Sequence, residues 1–109
     1  MSFGKYILRG KEPVPVDDVL EWGRNLGNAE NRRVAFDKIG DEAEVSTVFL
    51  SLDHSFGHGA PLLFETLVFG GKLDGEQDRY STWDEAEAGH RAMVERVRAS
   101  MSDDHSTAG

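Results

Sequence analysis

The first half of the chain alternates between short apolar runs and residues that break strands. Residues 5–9 form a short run typical of a strand, and Pro13 and Pro15 after it permit only an extended edge segment, because proline donates no backbone hydrogen bond. Residues 33–39 alternate loosely between apolar and polar, and residues 44–52 are rich in β-branched and aromatic side chains; a Gly-Asp pair separates the two runs. The pattern predicts a hairpin from these two runs.

Between the edge segment and the hairpin, the apolar spacing becomes helical. It predicts a first helix over residues 17–27, in which Asp17 or Asp18 caps the free backbone amides. Gly27 is expected to end this helix in the left-handed conformation.

The second half contains the most apolar run and a long amphipathic stretch. Residues 62–69 are almost continuously apolar, which is typical of a central strand covered on both faces, and a shorter strand is expected around residues 79–80. Thr82 and Glu85 have the spacing of a capping box. A second helix is therefore predicted over residues 83–101, with one buried stripe.

These elements predict one α+β domain over residues 1–101, followed by a disordered polar tail at residues 102–109. The expected architecture is an antiparallel sheet of four to five strands with two helices packed on one face. The strand order does not follow from the sequence. The other face would be solvated unless a second copy covered it, so a homodimer is a possible assembly.

Composition narrows the classes of partner. The formal net charge is −8, from 20 acidic and 12 basic residues, so we do not expect nucleic acid as a ligand. The same charge would favour a basic protein surface, although acidity also serves solubility. Without cysteine, disulfides and thiolate sites are excluded, and with no apolar segment of signal-peptide or membrane-spanning length we expect a cytoplasmic protein.

One group of residues has side chains that ligate transition metals. Imidazole and carboxylate groups suit zinc, manganese or iron, but the spacing here is unspecific. The alternative for the loop members is structural: Asp53 would accept turn amides, and His54 and His58 would be surface residues. The candidate metal ligands are Asp53, His54, His58, Glu65 and His90.

Glu65 and His90 need partners if they are buried. Glu65 interrupts an apolar strand on the side shared by Leu63 and Leu67, where an unpaired carboxylate is costly. Its expected partner is Arg33, Tyr80 or His90, and the alternative is that Glu65 lies exposed at an edge of the sheet. If Glu65 and His90 meet, the carboxylate would orient the imidazole as a general base requires, but no nucleophile is evident, and the alternative is a structural hydrogen bond.

The loop over residues 53–60 is the best candidate for an interaction surface. Phe56 lies at its tip between polar and glycine residues, where it either anchors a partner protein or folds back over the sheet edge. The further interaction candidates are Asp53, His58, Glu42, Glu44 and Asp74.

Several segments together resemble small uncharacterised phage and prophage proteins. The resemblance covers residues 5–98, and Ser51 stands where that pattern has glycine. It implies an origin in a phage or bacterial genome, where many small accessory genes encode proteins that bind and alter a host protein; it implies no activity. The matching segments are Val45-Ser-Thr-Val-Phe-Leu50, Leu52-Asp-His54, Pro61-Leu-Leu-Phe-Glu-Thr66, Phe69-Gly-Gly71, Arg79-Tyr-Ser-Thr-Trp83 and Glu87-Ala-Gly-His90.

The function expected from these observations is that of a small acidic accessory protein that binds a host or phage protein in the bacterial cytoplasm, without catalysis and without a cofactor. The alternative is a metal-dependent enzyme that uses the His, Asp and Glu residues named above.

Overall fold

The structure is a computed structural model that describes residues 4–27, 29–57 and 59–108, with only the backbone described at residues 29 and 102–108. In chain order, the elements are β1 (Tyr6–Arg9), β2 (Glu12–Pro15), α1 (Val19–Leu26), α2 (Ala29–Arg32), β3 (Arg33–Ile39), β4 (Ala43–Phe49), β5 (Phe64–Phe69), β6 (Gln77–Tyr80) and α3 (Trp83–Ala108).

The strands form two separate antiparallel sheets. β3, β4, β5 and β6 form a four-stranded meander in sequence order, and β1 and β2 form a separate two-stranded hairpin. The predicted α+β class, the antiparallel sheet and the β3–β4 hairpin are confirmed. The two N-terminal strands do not extend the main sheet, so among the described residues it has four strands.

Helix α3 packs across all four strands of the meander. The side chains of β4 alternate strictly between buried and half-buried, as expected for a strand with one covered face. The buried residues of α3, including Met93, Val94 and Val97, meet Val45 and Val68 of the sheet. A second apolar cluster, around Phe49 and Phe64, continues the core towards the hairpin β1–β2.

The predicted caps can be compared with the structure one by one. Thr82 and Glu85 form the expected reciprocal pair, in which the Glu85 amide donates to the Thr82 hydroxyl and the Thr82 amide donates to the Glu85 carboxylate, both at 3.1 Å. Asp18 caps α1 by accepting from the amides of Leu20 and Glu21. Gly27 caps the C-terminus of α1 as expected, but the left-handed conformation predicted for it is wrong: its φ is −73°, in the right-handed region, and its amide donates to the carbonyl oxygens of Asn25 and Gly23.

Helix α1 makes its main contacts with β1 and α2, and none of its residues is buried. Its Trp22 indole donates to the carbonyl of Ser51 at 3.0 Å, which ties α1 to the segment after β4. The predicted layer of two helices on one face is therefore not confirmed. The division into a domain over residues 1–101 and a tail over 102–109 stays a prediction.

The face of the meander opposite α3 has a mixed character. Register places apolar and charged side chains together on it, and the two phenylalanines there are 42% and 48% exposed. The described members of this open face are Arg33, Phe36, Lys38, Glu44, Ser46, Val48, Glu65, Leu67, Phe69, Gln77 and Arg79. Within the described ranges, no helix is long and apolar enough to cross a membrane.

Candidate functional site

The loop between β4 and β5 is held firmly at its base. Leu52 forms an isolated antiparallel bridge with Lys5, and the Asp53 amide donates to the carbonyl of Gly4 at 2.9 Å. The His54 amide donates to Leu62 at the other end of the loop, also at 2.9 Å. The loop thus leaves the sheet from a base fixed on both sides.

Asp53 closes this base with its side chain. One carboxylate oxygen accepts from the amide of Ser55 at 2.7 Å and from the amide of Leu62 at 3.0 Å. Burial alone would raise the pKa of the Asp53 carboxyl, but the hydrogen bonds from Ser55 and Leu62 and the nearby His54 outweigh it and lower the pKa. The turn role expected for Asp53 is confirmed.

Phe56 is presented to solvent at the tip of this loop. Its side chain is 80% exposed, the largest exposed fraction among the large apolar residues described. Its φ is 53°, a left-handed conformation that is uncommon for an aromatic residue. The His54 ring meets it edge-on with centroids 6.3 Å apart, while His54 Nδ1 lies 2.9 Å from the Leu52 carbonyl oxygen. His58, predicted beside it, lies outside the described residues.

A second polar cluster lies inside the molecule, between α3 and the sheet. His90 is only 3% exposed, with Nε2 2.8 Å from the Asp37 carboxylate and Nδ1 2.7 Å from the Thr47 hydroxyl. Thr47 in turn lies 2.6 Å from the hydroxyl of Thr66, to which Tyr80 donates at 3.1 Å. Five side chains from four strands and one helix form a continuous chain of hydrogen bonds.

The direction of these hydrogen bonds follows from the acceptor at one end. An ionised Asp37 carboxylate can only accept, so Nε2 carries a proton, and in a neutral ring Nδ1 then accepts from Thr47. Thr47 accepts from Thr66, and Thr66 accepts from Tyr80. Burial raises the pKa of the Tyr80 phenol, opposed by its bond to Thr66 and reinforced by Asp78, so the phenol keeps the proton that it donates.

The order carboxylate, imidazole, hydroxyl in Asp37, His90 and Thr47 is that of a nucleophile with its base and orienting acid. Nucleophilic catalysis is nevertheless excluded here, because Thr47 is fully buried and no substrate atom can reach its hydroxyl. A fully satisfied network in the core serves to specify packing. His90 is therefore a satisfied core histidine, which was the alternative to its metal-ligand interpretation.

Glu65 has a structural hydrogen-bond partner, as expected, but the three partners named for it are wrong. Glu65 lies on the open face of β5, whereas His90 is under the opposite face, so the two do not meet. Its partner is neither Arg33 nor Tyr80 but Arg79, directly opposite on β6, whose Nε donates to the carboxylate at 3.0 Å. The side chains of Arg79 and Glu65 are 32% and 16% exposed, so this is a half-buried surface pair.

The other candidates are spread over the molecule. Among the described residues, no group of three or more His, Asp or Glu side chains is close enough to hold a metal ion, and the metal-ligand candidates Asp53, His54, Glu65 and His90 do not converge. Glu42 and Glu44 lie at the end of the meander remote from Phe56. Asp74 is in the β5–β6 turn at that same end, where it accepts from the Gly70 amide at 2.7 Å.

Sequence reasoning missed Asp37 and Thr47 as partners of His90. The strict alternation of β4 places Thr47 on the same face as Val45, and that spacing is visible in the sequence. Asp37 has no such signal, because β3 carries an irregularity between Arg33 and Ala35 that resets which residues face α3.

Comparisons of the chain with models of protein families, with curated proteins and with solved structures give no match. The resemblance to phage and prophage proteins therefore stays a prediction.

Proposed function

We propose that the protein is a non-catalytic binding module that engages another protein through the 53–60 loop, with Phe56 as the anchor. The exposure of Phe56 supports this most directly. Its side chain is 80% exposed, its backbone is in the left-handed conformation, and the base of its loop is fixed by the hydrogen bonds that Asp53 accepts from Ser55 and Leu62.

The energetics of such an anchor are favourable. Burying an exposed phenylalanine in a partner's pocket contributes about 1.5–3 kcal/mol. The loop base is already ordered by hydrogen bonds from Ser55 and Leu62, so less conformational entropy is lost on binding than for a free loop. Interface energy concentrates in a few aromatic residues of this kind.

We infer the partner class from the charge and from the resemblance to phage and prophage proteins. A chain of net charge −8 attracts a basic surface over long range. Glu42, Glu44 and Asp74 lie far from Phe56, so they act on the rate of encounter and not as direct contacts of the loop. The proposed partner is a host or phage protein with a basic face, in the cytoplasm of a bacterial host.

The test is capture of a partner from bacterial lysate by the tagged protein, followed by binding measurements with the purified partner. We expect Phe56→Ala to weaken binding about tenfold or more. The matched control is Leu20→Ala, which truncates another apolar side chain that is 73% exposed, on α1. Circular dichroism and a melting curve verify the fold of both variants.

Equal capture by the wild type and Phe56→Ala would overturn the role of the loop. Loss of capture in both Phe56→Ala and Leu20→Ala would show that any apolar truncation has this effect, and would also count against a specific anchor.

The open face supports a second proposal, self-association. It combines the apolar side chains of Phe36, Leu67 and Phe69 with charges of both signs, here Lys38 and Glu44, which suits a self-complementary contact. Four strands at about 4.8 Å spacing and six residues in length span roughly 400 Å², against about 800 Å² per partner in a standard interface. The homodimer that we propose is therefore weak.

A further inference from the structure

A groove of about 610 Å³ lies between the N-terminal hairpin, the segment that leads into β5 and the start of α3. Its walls include Pro13 from β2, Pro61 from the segment before β5, and Trp83, the first residue of α3. The volume lies within the range of small-molecule sites.

Trp83 is fixed in this groove by the core behind it. Its ring packs at nearly a right angle to that of Phe64, with centroids 6.2 Å apart, and belongs to the second apolar cluster. The indole nitrogen is buried, while the residue as a whole is only half-buried. The part of the side chain that a ligand can reach is therefore the carbon surface of the ring and not its N–H group.

The structure already places a cation on this ring. The Lys11 ammonium lies 5.8 Å from the centroid of the Trp83 ring, a distance at which a cation is attracted by an aromatic face. Lys11 is exposed in the turn between β1 and β2, and it forms no salt bridge among the described residues. A cation–π contact at an exposed position is weak, so a second cation can displace the Lys11 ammonium.

Two carboxylates also line the groove. Glu12 directly follows Lys11 in the chain, and Asp84 directly follows Trp83. Both are exposed, and within the described ranges neither forms a salt bridge. The described lining residues thus include two carboxylates and one ammonium, in a chain of net charge −8. The charge of the groove favours a cation.

The start of α3 offers little to an anion. Free amides at the beginning of a helix attract anions, but those of Ser81 and Thr82 already donate to the Glu85 carboxylate at 3.1 Å. Asp84 adds a negative charge in the same first turn. The amides and charges at this end therefore do not oppose the preference for a cation.

We propose that this groove binds a small organic ammonium ion. Its charged head takes the place of the Lys11 ammonium on the Trp83 ring, with Glu12 and Asp84 nearby, and Lys11 turns out to solvent. Lys11 therefore competes with the ligand for the ring.

The aliphatic part of the ligand lies against Pro13 and Pro61, which are half-buried and line the groove. Proline has no amide hydrogen, so these walls provide apolar contact without a backbone donor. Phe56 is not a lining residue, so the site does not depend on the partner proposed for the 53–60 loop.

The test titrates butylammonium and tetramethylammonium into the isotopically labelled protein at constant ionic strength. Butanol is the neutral counterpart of butylammonium, and butyrate is the anionic one. We expect at least one of the two cations to bind and to shift the ring signals of Trp83 and the amide signals of Lys11 and Ser81, which line the groove. Butanol and butyrate should bind about tenfold more weakly than that cation, or less.

Variants with matched charge test the residues. Lys11→Gln should bind the cation roughly threefold more tightly or better, because glutamine removes the competing charge. Glu12→Gln combined with Asp84→Asn should weaken binding by about tenfold or more, because both carboxylates of the groove are lost. The control pair, Asp41→Asn with Glu42→Gln, removes two exposed carboxylates from the β3–β4 turn and should bind as the wild type does.

Melting curves verify that each variant is folded, and Phe56→Ala, outside the groove, should bind the cation as the wild type does. The proposal is overturned if neither cation binds, if the shifts are confined to residues that do not line the groove, or if butanol or butyrate binds as tightly as the cation. Equal binding by the Glu12–Asp84 variant and the control pair would overturn it as well, since overall charge would then explain the effect. Binding by Lys11→Gln that is no tighter than that of the wild type would show that the cation does not bind on the Trp83 ring.

Discussion

At the residue scale, the hydrogen bonds that Asp53 accepts at the base of the 53–60 loop should make the stability of the protein depend on pH. Asp53→Asn removes the charge that the Ser55 and Leu62 amides stabilise, so we expect the free energy of unfolding at pH 7 to fall by about 1–2 kcal/mol. The pKa of Asp53 is lowered in the folded state, so this stabilisation is present above its ordinary pKa of 3.8 and is lost as the pH falls through the lower folded value.

Urea unfolding at pH 7 and at pH 3 measures this effect. The gap between the wild type and Asp53→Asn should narrow at the lower pH. Asp41→Asn, an exposed change in the β3–β4 turn, is the matched control and should show little gap at either pH. A gap of the same size at both pH values would contradict the assignment.

Helix periodicity sufficed to predict that His90 is buried, because it fixes the face of α3 on which a residue lies. It did not predict the partners, because these depend on strand register, and the irregularity in β3 is decided by tertiary packing. Glu65 shows the same limit. In an almost continuously apolar strand, the sequence does not show which alternate set of residues faces the helix.

At the element scale, the contact of α3 with β6 depends on Gly89. A Cβ at this position would collide with the ring and hydroxyl of Tyr80. Alanine favours an isolated helix over glycine by about 1 kcal/mol, but displacing Tyr80 from Thr66 and overpacking cost about 1–3 kcal/mol. We expect Gly89→Ala to lower the free energy of unfolding.

A double-mutant cycle separates these two effects. In a Tyr80→Ala background the collision is gone, so Gly89→Ala should become neutral or stabilising, as measured by chemical denaturation. A Gly89→Ala change that destabilises equally in both backgrounds would show that the cost does not come from Tyr80.

Short sequence motifs predicted the ends of the helices well wherever a side chain bonds to a backbone amide two or three residues away. The Thr82–Glu85 box and the Asp18 cap were readable because their partners are two or three residues away. The conformation of Gly27 could not be predicted in this way. The chain continues into α2 almost at once, so it does not need the left-handed turn of an isolated helix end.

At the scale of the whole molecule, the sequence predicted the α+β class but not the separation into two sheets. Pro13 and Pro15 indicated an edge segment correctly, yet the edge belongs to a hairpin of its own. The apolar run into β5 suggested a strand covered on both faces, whereas the part of the chain that the structure describes covers only the face that includes Phe64 and Val68. Leu67 is left on the open face, and the apolar surplus there is what the proposed homodimer would bury.

A single charge on that face tests the homodimer. Leu67 lies between Ser46 and Gln77 on the open face, so Leu67→Lys adds a charge at the centre of the proposed contact without disturbing the core under α3. We expect sedimentation to show concentration-dependent dimerisation of the wild type, weak because the face spans only roughly 400 Å². The variant should remain monomeric at the same concentrations, with its free energy of unfolding changed by less than about 1 kcal/mol. Leu20→Lys places the same charge on α1 and should dimerise as the wild type does. A wild type that stays monomeric up to millimolar concentration, or a dimer that persists in Leu67→Lys, would rule out association through this face.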